Sequence, residues 1–344
     1  MKVLVTGGCG FIGSHVCEFY LKSGAEVIAY DNMTKYELAR TGYATEAARV
    51  YNWNFLKGLG VNMMRADIRD LDQLTEAARG CDFIVHTAAQ PAMTISVESP
   101  DFDFTTNVVG TFNVLSVARK FDIPVVYCST IHVYGNKINE MLTEEQTRFT
   151  RNPVGVDEQH PTMQGMITPL HASKMAAELY VRTFIETYQV RAAGFRLTGL
   201  YGPRQFGGED HGWVANFAIR TVMGWPITIY GTAKQVRDIL YATDVVAAFH
   251  AFYENPKPGI YNIGGGSRNS ISLLECIKVL GEIVGREPVV KLGQARTGDL
   301  WYFVCELEKA KRELGWQPKV LPGEGIENLV SWIQENTQLF ADKD

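Results

Sequence analysis

Short apolar runs alternate with amphipathic segments through the first 130 residues of the chain. Val3–Thr6, Glu26–Asp31, Val61–Asp67, Phe83–Ala88 and Val125–Thr130 read as strands. Between most of them the apolar positions recur at helical spacing. Strand-helix alternation of this kind builds a parallel sheet covered on both faces, because right-handed crossovers carry each helix outside it. The pattern predicts an α/β fold whose first half is doubly wound. After Thr130 comes a polar, turn-rich stretch to about Gln164, then a helix from about His171 to Tyr188 and a strand near Ala192–Leu197. Beyond it the rhythm loosens. Gly and Pro clusters at Gly202–Gly208 and Gly264–Gly266, with helices near Gly212–Met223, Ser272–Gly285 and Glu324–Asn336, predict a smaller C-terminal lobe assembled from separate insertions. The expected division gives residues 1–200 with about 239–263 to the sheet, and about 201–238 and 264–344 to the lobe, with a ligand between them. Residues 32–60 are long for a connection and hold Tyr36, Tyr43, Tyr51 and Trp53, which predicts a packed helical excursion.

The chain has 344 residues, with 33 Lys and Arg against 38 Asp and Glu for a net charge of −5. That mildly acidic balance, without a basic run, excludes nucleic acid as a partner. No apolar stretch is long enough to span a membrane. The start, MKVLVTGG, enters a strand and lacks the apolar core and cleavage site of a secretory signal, so a cytoplasmic location is expected. Cys9, Cys17, Cys81, Cys128, Cys276 and Cys305 form no metal-binding spacing, and no metal is expected; reduced, buried thiols are.

The first strand runs into Thr6-Gly7-Gly8-Cys9-Gly10-Phe11-Ile12-Gly13 and then a helix. Glycines at these spacings allow a tight turn and close approach of backbone to a pyrophosphate, while the helix N-terminus offers unpaired N–H groups to the anion. Asp31 ends the second strand, where a carboxylate binds ribose hydroxyls and repels a 2′-phosphate. The predicted architecture is therefore a Rossmann-type doubly wound sheet, with NAD favoured over NADP although Lys35 follows nearby. Asp67-Ile68 ends the third strand, where Asp67 either reaches the adenine edge or caps the next helix. Thr87-Ala88-Ala89-Gln90 ends the fourth with small residues that let a cofactor lie close, or that pack helix on sheet.

These residues, with Cys128-Ser129-Thr130-Ile131-His132-Val133-Tyr134-Gly135, Tyr201-Gly202-Pro203-Arg204 and Gln235-Val236-Arg237-Asp238, resemble the extended short-chain dehydrogenase/reductase superfamily of nucleotide-sugar epimerases and dehydratases. The resemblance covers nearly the whole chain. Within it, the runs around Arg204, His211 and Tyr261 look most like the CDP-tyvelose (CDP-paratose) 2-epimerases. The resemblance implies NAD held by Gly7, Gly10, Phe11, Ile12, Gly13, Asp31, Asn32, Asp67, Ile68, Thr87, Ala88, Ala89, Gln90, Asn107, Ser129 and Lys174. It also implies a nucleoside-diphosphate sugar in the smaller lobe, met by Thr130, Gln205, His211, Arg237 and Arg296. The two arginines match positions that grip a diphosphate, for which a guanidinium fork is suited; surface salt bridges are their alternative. Trp213 is expected to pack. The family's chemistry is transient oxidation of the sugar, because an unactivated C–H bond gives up a hydride far more easily than a proton. The family's homodimer implies a four-helix interface from helices near Asp101–Lys120 and Leu170–Tyr188.

Three groups carry the proton in such enzymes: a Ser or Thr, and the Tyr and Lys of a YxxxK motif. Thr130 and Lys174 match the first and last, but Leu170 stands where the tyrosine belongs. Leucine moves no proton, and a positioned acid-base group is worth roughly 10²–10⁴ in rate. His132 and His171 are the candidate substitutes, unless both are ordinary hydrogen-bonded side chains. Gly199, where relatives often carry a polar residue, and Leu300, where the 2-epimerase pattern has glutamine, suggest a different substrate. Three functions compete: an epimerase with a histidine in place of the phenol; a dehydratase, decarboxylase or 3,5-type epimerase in which His132 moves a ring proton; and a silent relative that only binds.

Overall fold

The computed structural model describes residues 1–34, 38, 41–43, 46–295 and 298–340. Seven strands, Lys2–Thr6, Glu26–Asp31, Asn62–Arg65, Phe83–His86, Val125–Thr130, Ala192–Leu197 and Gly259–Ile263, form one parallel sheet. Counted along the chain, their order across the sheet is 3-2-1-4-5-6-7. The order reverses between Lys2–Thr6 and Phe83–His86, and the crevice beyond the carboxyl ends of those strands is where doubly wound sheets bind ligands.

Successive side chains on a strand point to opposite faces, so each strand feeds two cores. Val3, Val5, Val27, Phe83 and Phe195 meet Val16 and Tyr20 of helix Phe11–Lys22, Leu56 of helix Glu46–Leu59 and Phe249 of helix Ala242–Glu254. Leu4, Ile28, Ile84 and Val125 meet Leu74, Val114 and Val181 of helices Leu71–Ala78, Gly110–Phe121 and Pro169–Tyr188. With both faces covered, the strands have no polar alternation to maintain, which explains runs such as Lys2-Val3-Leu4-Val5.

Beyond the sheet, Ile227–Tyr230 pairs with Val290–Gly293, and Val236–Tyr241 with Gly199–Tyr201, Ser270–Ser272 and Tyr302–Phe303. Helices Trp213–Met223, Leu273–Val284 and Pro322–Glu335 close a third core over these small sheets. Two expected strands are shorter than the apolar runs that announced them: the third is Asn62–Arg65, and the fourth stops at His86. The apolar residues past each end face the crevice rather than a neighbouring strand, since Ala66, Ile68 and Ala88 line it. The excursion after Asp31 contains helix Glu46–Leu59; Tyr36 lies outside the described residues.

A buried ion pair fastens the sheet to helix Pro169–Tyr188. Arg196 donates to both carboxylate oxygens of Glu178, at 3.0 and 2.6 Å, and Ser129 Oγ donates to the same carboxylate at 2.8 Å. Arg196 also donates to Tyr134 Oη at 2.8 Å. Both charged side chains are almost fully buried. Removing one partner strands the other charge in a low-dielectric interior, which typically costs about 3–5 kcal/mol. Glu178→Gln is expected to lower stability by about that amount, and a paired replacement by apolar residues, Glu178→Leu with Arg196→Met, by less than Glu178→Gln alone. Denaturant unfolding of the three variants checks both statements.

Candidate active site

The phosphate loop is built by crowding. Gly7 adopts φ +69°, and a Cβ there would fall 2.6 Å from the Ala88 nitrogen of the neighbouring strand end. A Cβ on Gly13 would fall 2.1 Å from the Gly7 carbonyl oxygen. Gly10 is the N-cap of helix Phe11–Lys22, and no side chain caps it. The first-turn residues Phe11, Ile12 and Gly13 therefore present a bare helix N-terminus to the crevice they line. Asp31 braces the loop from the next strand: its carboxylate accepts the Cys9 N–H at 2.9 Å and the Met33 N–H at 2.7 Å. Bare N–H groups for an anion, backbone held close by two obligatory glycines and a carboxylate at the strand end fit a dinucleotide.

One continuous cavity of about 1200 Å³ runs from this loop to the small sheets. Gly7, Gly10, Phe11, Ile12, Gly13, Asp31, Asn32, Ile68, Thr87, Ala88, Ala89, Ser129, Thr130, His132 and Lys174 line its sheet side, and Gln205, His211 and Arg237 its far side. Four of the expected residues that are described do not line it. Asp67 accepts from Arg69 and from Asn32 Nδ2, and neither lines the cavity nor caps the next helix; Asp70 does the capping, accepting the Gln73 N–H. Gln90 and Asn107 are buried behind the wall, where both donate to Asp103, because Asn107 also needs the Gln90 backbone and Ser173 as partners. His171 is the third residue of helix Pro169–Tyr188; its Nδ1 accepts the Thr168 N–H at 3.0 Å, closing a capping box. Arg296 lies outside the described residues, as does Lys35.

At the cavity's centre the strand end Val125–Thr130 passes into the turn Ile131–Tyr134, and Thr130 Oγ1 accepts the His132 N–H at 3.2 Å. Lys174 stands one helical turn after Leu170, and both line the cavity beside Thr130 and His132. The Lys174 ammonium donates to the Cys128 carbonyl at 3.0 Å, and burial lowers its pKa to about 8. His132 stands edge-on to His171, with ring centroids 5.6 Å apart. Burial, helped by His171 and the Arg237 charge, lowers the His132 pKa to about 3, so this imidazole is neutral at any physiological pH. Arg237 donates to the Val236 and Leu300 carbonyls and lies 3.8 Å from Asp299, an anchored guanidinium facing the far end.

Several walls of the cavity come from residues that no motif announces. Asn52 comes from helix Glu46–Leu59, and Met93, Met166 and Tyr230 also line it. Asn52 alone carried a signal: it is the polar member of the inward stripe Ala48, Asn52, Leu56. Among the described residues, no group of His, Cys, Asp and Glu could hold a metal ion, and no helix is long and apolar enough to cross a membrane.

The chain belongs to the NAD dependent epimerase/dehydratase family, whose profile matches residues 3–264. It is 34% identical to the CDP-paratose 2-epimerase of Salmonella typhi, over 96% of this chain and 99% of that protein. Its fold is similar to that of the UDP-glucose 4-epimerase of Thermus thermophilus in complex with NAD, with a TM-score of 0.78 and 33% identity over 97% of this chain and 99% of that one. The UDP-glucose 4-epimerase of Thermotoga maritima, solved with UDP-glucose, gives a TM-score of 0.79 at 29% identity over 98% and 100%. The α/β fold read from the apolar pattern is the fold of these enzymes, and NAD is the cofactor of the family.

Since a Cβ on Gly13 has no space beside Gly7, Gly13→Ala is expected to weaken NAD binding by roughly a hundredfold or more, about 3 kcal/mol, and to lower the melting temperature. Titration calorimetry with NAD, beside a thermal melt, measures both.

Proposed function

We propose that this protein is an NAD-dependent epimerase of a nucleoside-diphosphate sugar, most like a 2-epimerase, in which His132 takes over the task of the missing phenol. The observation that carries the reading is that Thr130, His132 and Lys174 line one cavity together with a dinucleotide loop and an anchored guanidinium. The bound cofactor supplies a reversible hydride acceptor, so a sugar carbinol can be oxidised to a ketone and reduced again from its other face. Gly7, Gly10 and Gly13 with the bare helix N-terminus receive the pyrophosphate, and Asp31 the adenosine ribose. Arg237 receives the sugar diphosphate, with Gln205 and His211 beside it. Thr130 and His132 orient the reacting hydroxyl, and His132 accepts its proton. A base titrating near 3 suffices, because a carbinol losing hydride becomes a protonated ketone, far more acidic than imidazolium. Lys174, anchored on the Cys128 carbonyl of the same wall, holds the nicotinamide ribose in place with its ammonium. His171, sealed in its capping box, holds His132 edge-on rather than touching substrate.

The paired helices Gly110–Phe121 and Pro169–Tyr188 expose Phe112, Leu179, Tyr180 and Tyr188 on the outside of the molecule. This apolar face supports a homodimer through a four-helix interface. Tyr180→Glu is expected to give monomers, read by light scattering after gel filtration.

Incubation with NAD and a panel of CDP-, UDP-, GDP- and dTDP-hexoses, followed by proton NMR in deuterated water, tests the reaction. Inversion at one carbon without solvent deuterium is expected, and His132→Ala should lower the rate by roughly 10²–10⁴ while His171→Ala costs less. Deuterium in the product, or loss of water or carbon dioxide, sinks the epimerase in favour of ring-proton chemistry; no turnover in any arm, with NAD and nucleotide both bound, leaves a binding protein. The pH profile follows from the two shifted groups. His132 stays neutral above about pH 3, so kcat/KM is expected to be flat from about pH 5 to 7, and to fall as pH rises through about 8, where Lys174 loses its charge.

A further inference from the structure

Helix Glu46–Leu59 sits across the junction of two cores. Ala48 packs with Val214 and Ile326 under the small sheets, and Leu56 packs with Val16 and Val27 under the large one. Between them, on the same face, stands Asn52, 1% exposed. A stripe of this kind calls for an apolar residue, and an amide in it needs a reason. Its Nδ2 lies 3.1 Å from the Cys9 carbonyl, 3.3 Å from the Gly10 carbonyl and 3.5 Å from the Arg204 carbonyl. The first two belong to the phosphate loop and the third to the turn that delivers Gln205 to the far side of the cavity. Oδ1 of the same amide is buried without a hydrogen-bond partner among the described residues, so the side chain is there for its donors.

The turn is gripped a second time by the helix that follows the loop. Pro203 O accepts from His15 Nε2 at 2.8 Å; burial lowers the His15 pKa to about 3, so the ring is neutral and the carbonyl places its proton on Nε2. Arg204 donates from Nε to Ser14 Oγ at 3.1 Å and pairs with Glu18 at 2.7 Å. Arg204 itself is held at φ +66°, a backbone conformation that a non-glycine residue keeps only when its surroundings impose it. Loop and turn are thus one unit: Ser14 touches both from the helix that follows the loop, and the amide of Asn52 touches both from a separate helix.

We propose that Asn52 is a positioning residue that couples the dinucleotide loop to the turn Tyr201–Gln205, so that seating NAD orders the sugar-nucleotide side of the cavity. The coupling rests on the reading of the two ends of the cavity given above. By linkage it runs both ways: whatever the turn gains from an occupied loop, NAD gains from an ordered turn.

Amide hydrogen exchange over residues 201–206, measured with and without saturating NAD, reads the coupling without any sugar or turnover. In the wild type, exchange there is expected to slow about tenfold on NAD addition; in Asn52→Leu, NAD affinity by calorimetry should fall about tenfold and the slowing should vanish even at saturating NAD. Should the leucine variant not fold, Asn52→Ser, which keeps one donor, is expected to show a partial loss of both. The proposal is overturned if the wild-type turn does not respond to NAD, if the variant keeps wild-type affinity, or if it loses affinity yet keeps the full exchange response when saturated. A wild-type chain that binds no NAD overturns the reading of the site itself, whereas normal NAD binding with an unaffected Asn52 variant overturns the coupling alone.

Discussion

The close approach of backbone to backbone at Gly7 and Gly13 is the constraint on which the remaining structure depends. A single methyl group at Gly7 would press on the strand end at Ala88, and one at Gly13 would press on Gly7 itself. Loop, first helix and fourth strand are therefore locked at contact distance, and the helix N-terminus is aimed into the crevice. Asp31 from one side and Asn52 from the other then hold N–H and carbonyl groups of the loop, so that a segment with few side chains of its own still finds partners for its buried backbone. The cavity inherits its geometry from this arrangement.

The strand end carrying Thr130 and the helix carrying Lys174 are joined by a different device. Glu178 and Arg196 tie helix Pro169–Tyr188 to the strand Ala192–Leu197, and Ser129 joins the same pair from the strand Val125–Thr130. That one knot sets the distance between the strand end carrying Thr130 and the helix carrying Lys174. Leu170 occupies the first turn of the helix and gives the cavity an apolar surface there, while the turn after Thr130 brings His132 in beside it. Helix and strand end are thus held together without help from either Leu170 or His132.

Much of the framework was legible in the sequence. Strands buried on both faces announce themselves as unbroken apolar runs, and the strand-loop-helix glycines announce a phosphate site, because both signals are local. The runs overshot the third and fourth strands, since apolar residues that line a crevice look the same as residues that pair in a sheet. Gln90, Asn107 and Asp67 carry the right polarity for ligand contacts yet spend it on Asp103, Ser173 and Arg69, partners whose proximity no spacing reveals.

The sequence by itself determined the doubly wound sheet, the glycine-rich loop, the carboxylate after the second strand and the absence of a phenol before Lys174. Each is a matter of residue type at short spacing, where steric and periodic rules act directly. Only the tertiary structure separated the two histidines, putting His132 on the cavity wall and His171 into a capping box. It alone showed Asn52 reaching loop and turn together, because the residues concerned, Cys9, Asn52 and Arg204, lie far apart in sequence. Which buried donor meets which carbonyl across such separations is set by the packing of whole helices, and no local pattern encodes it.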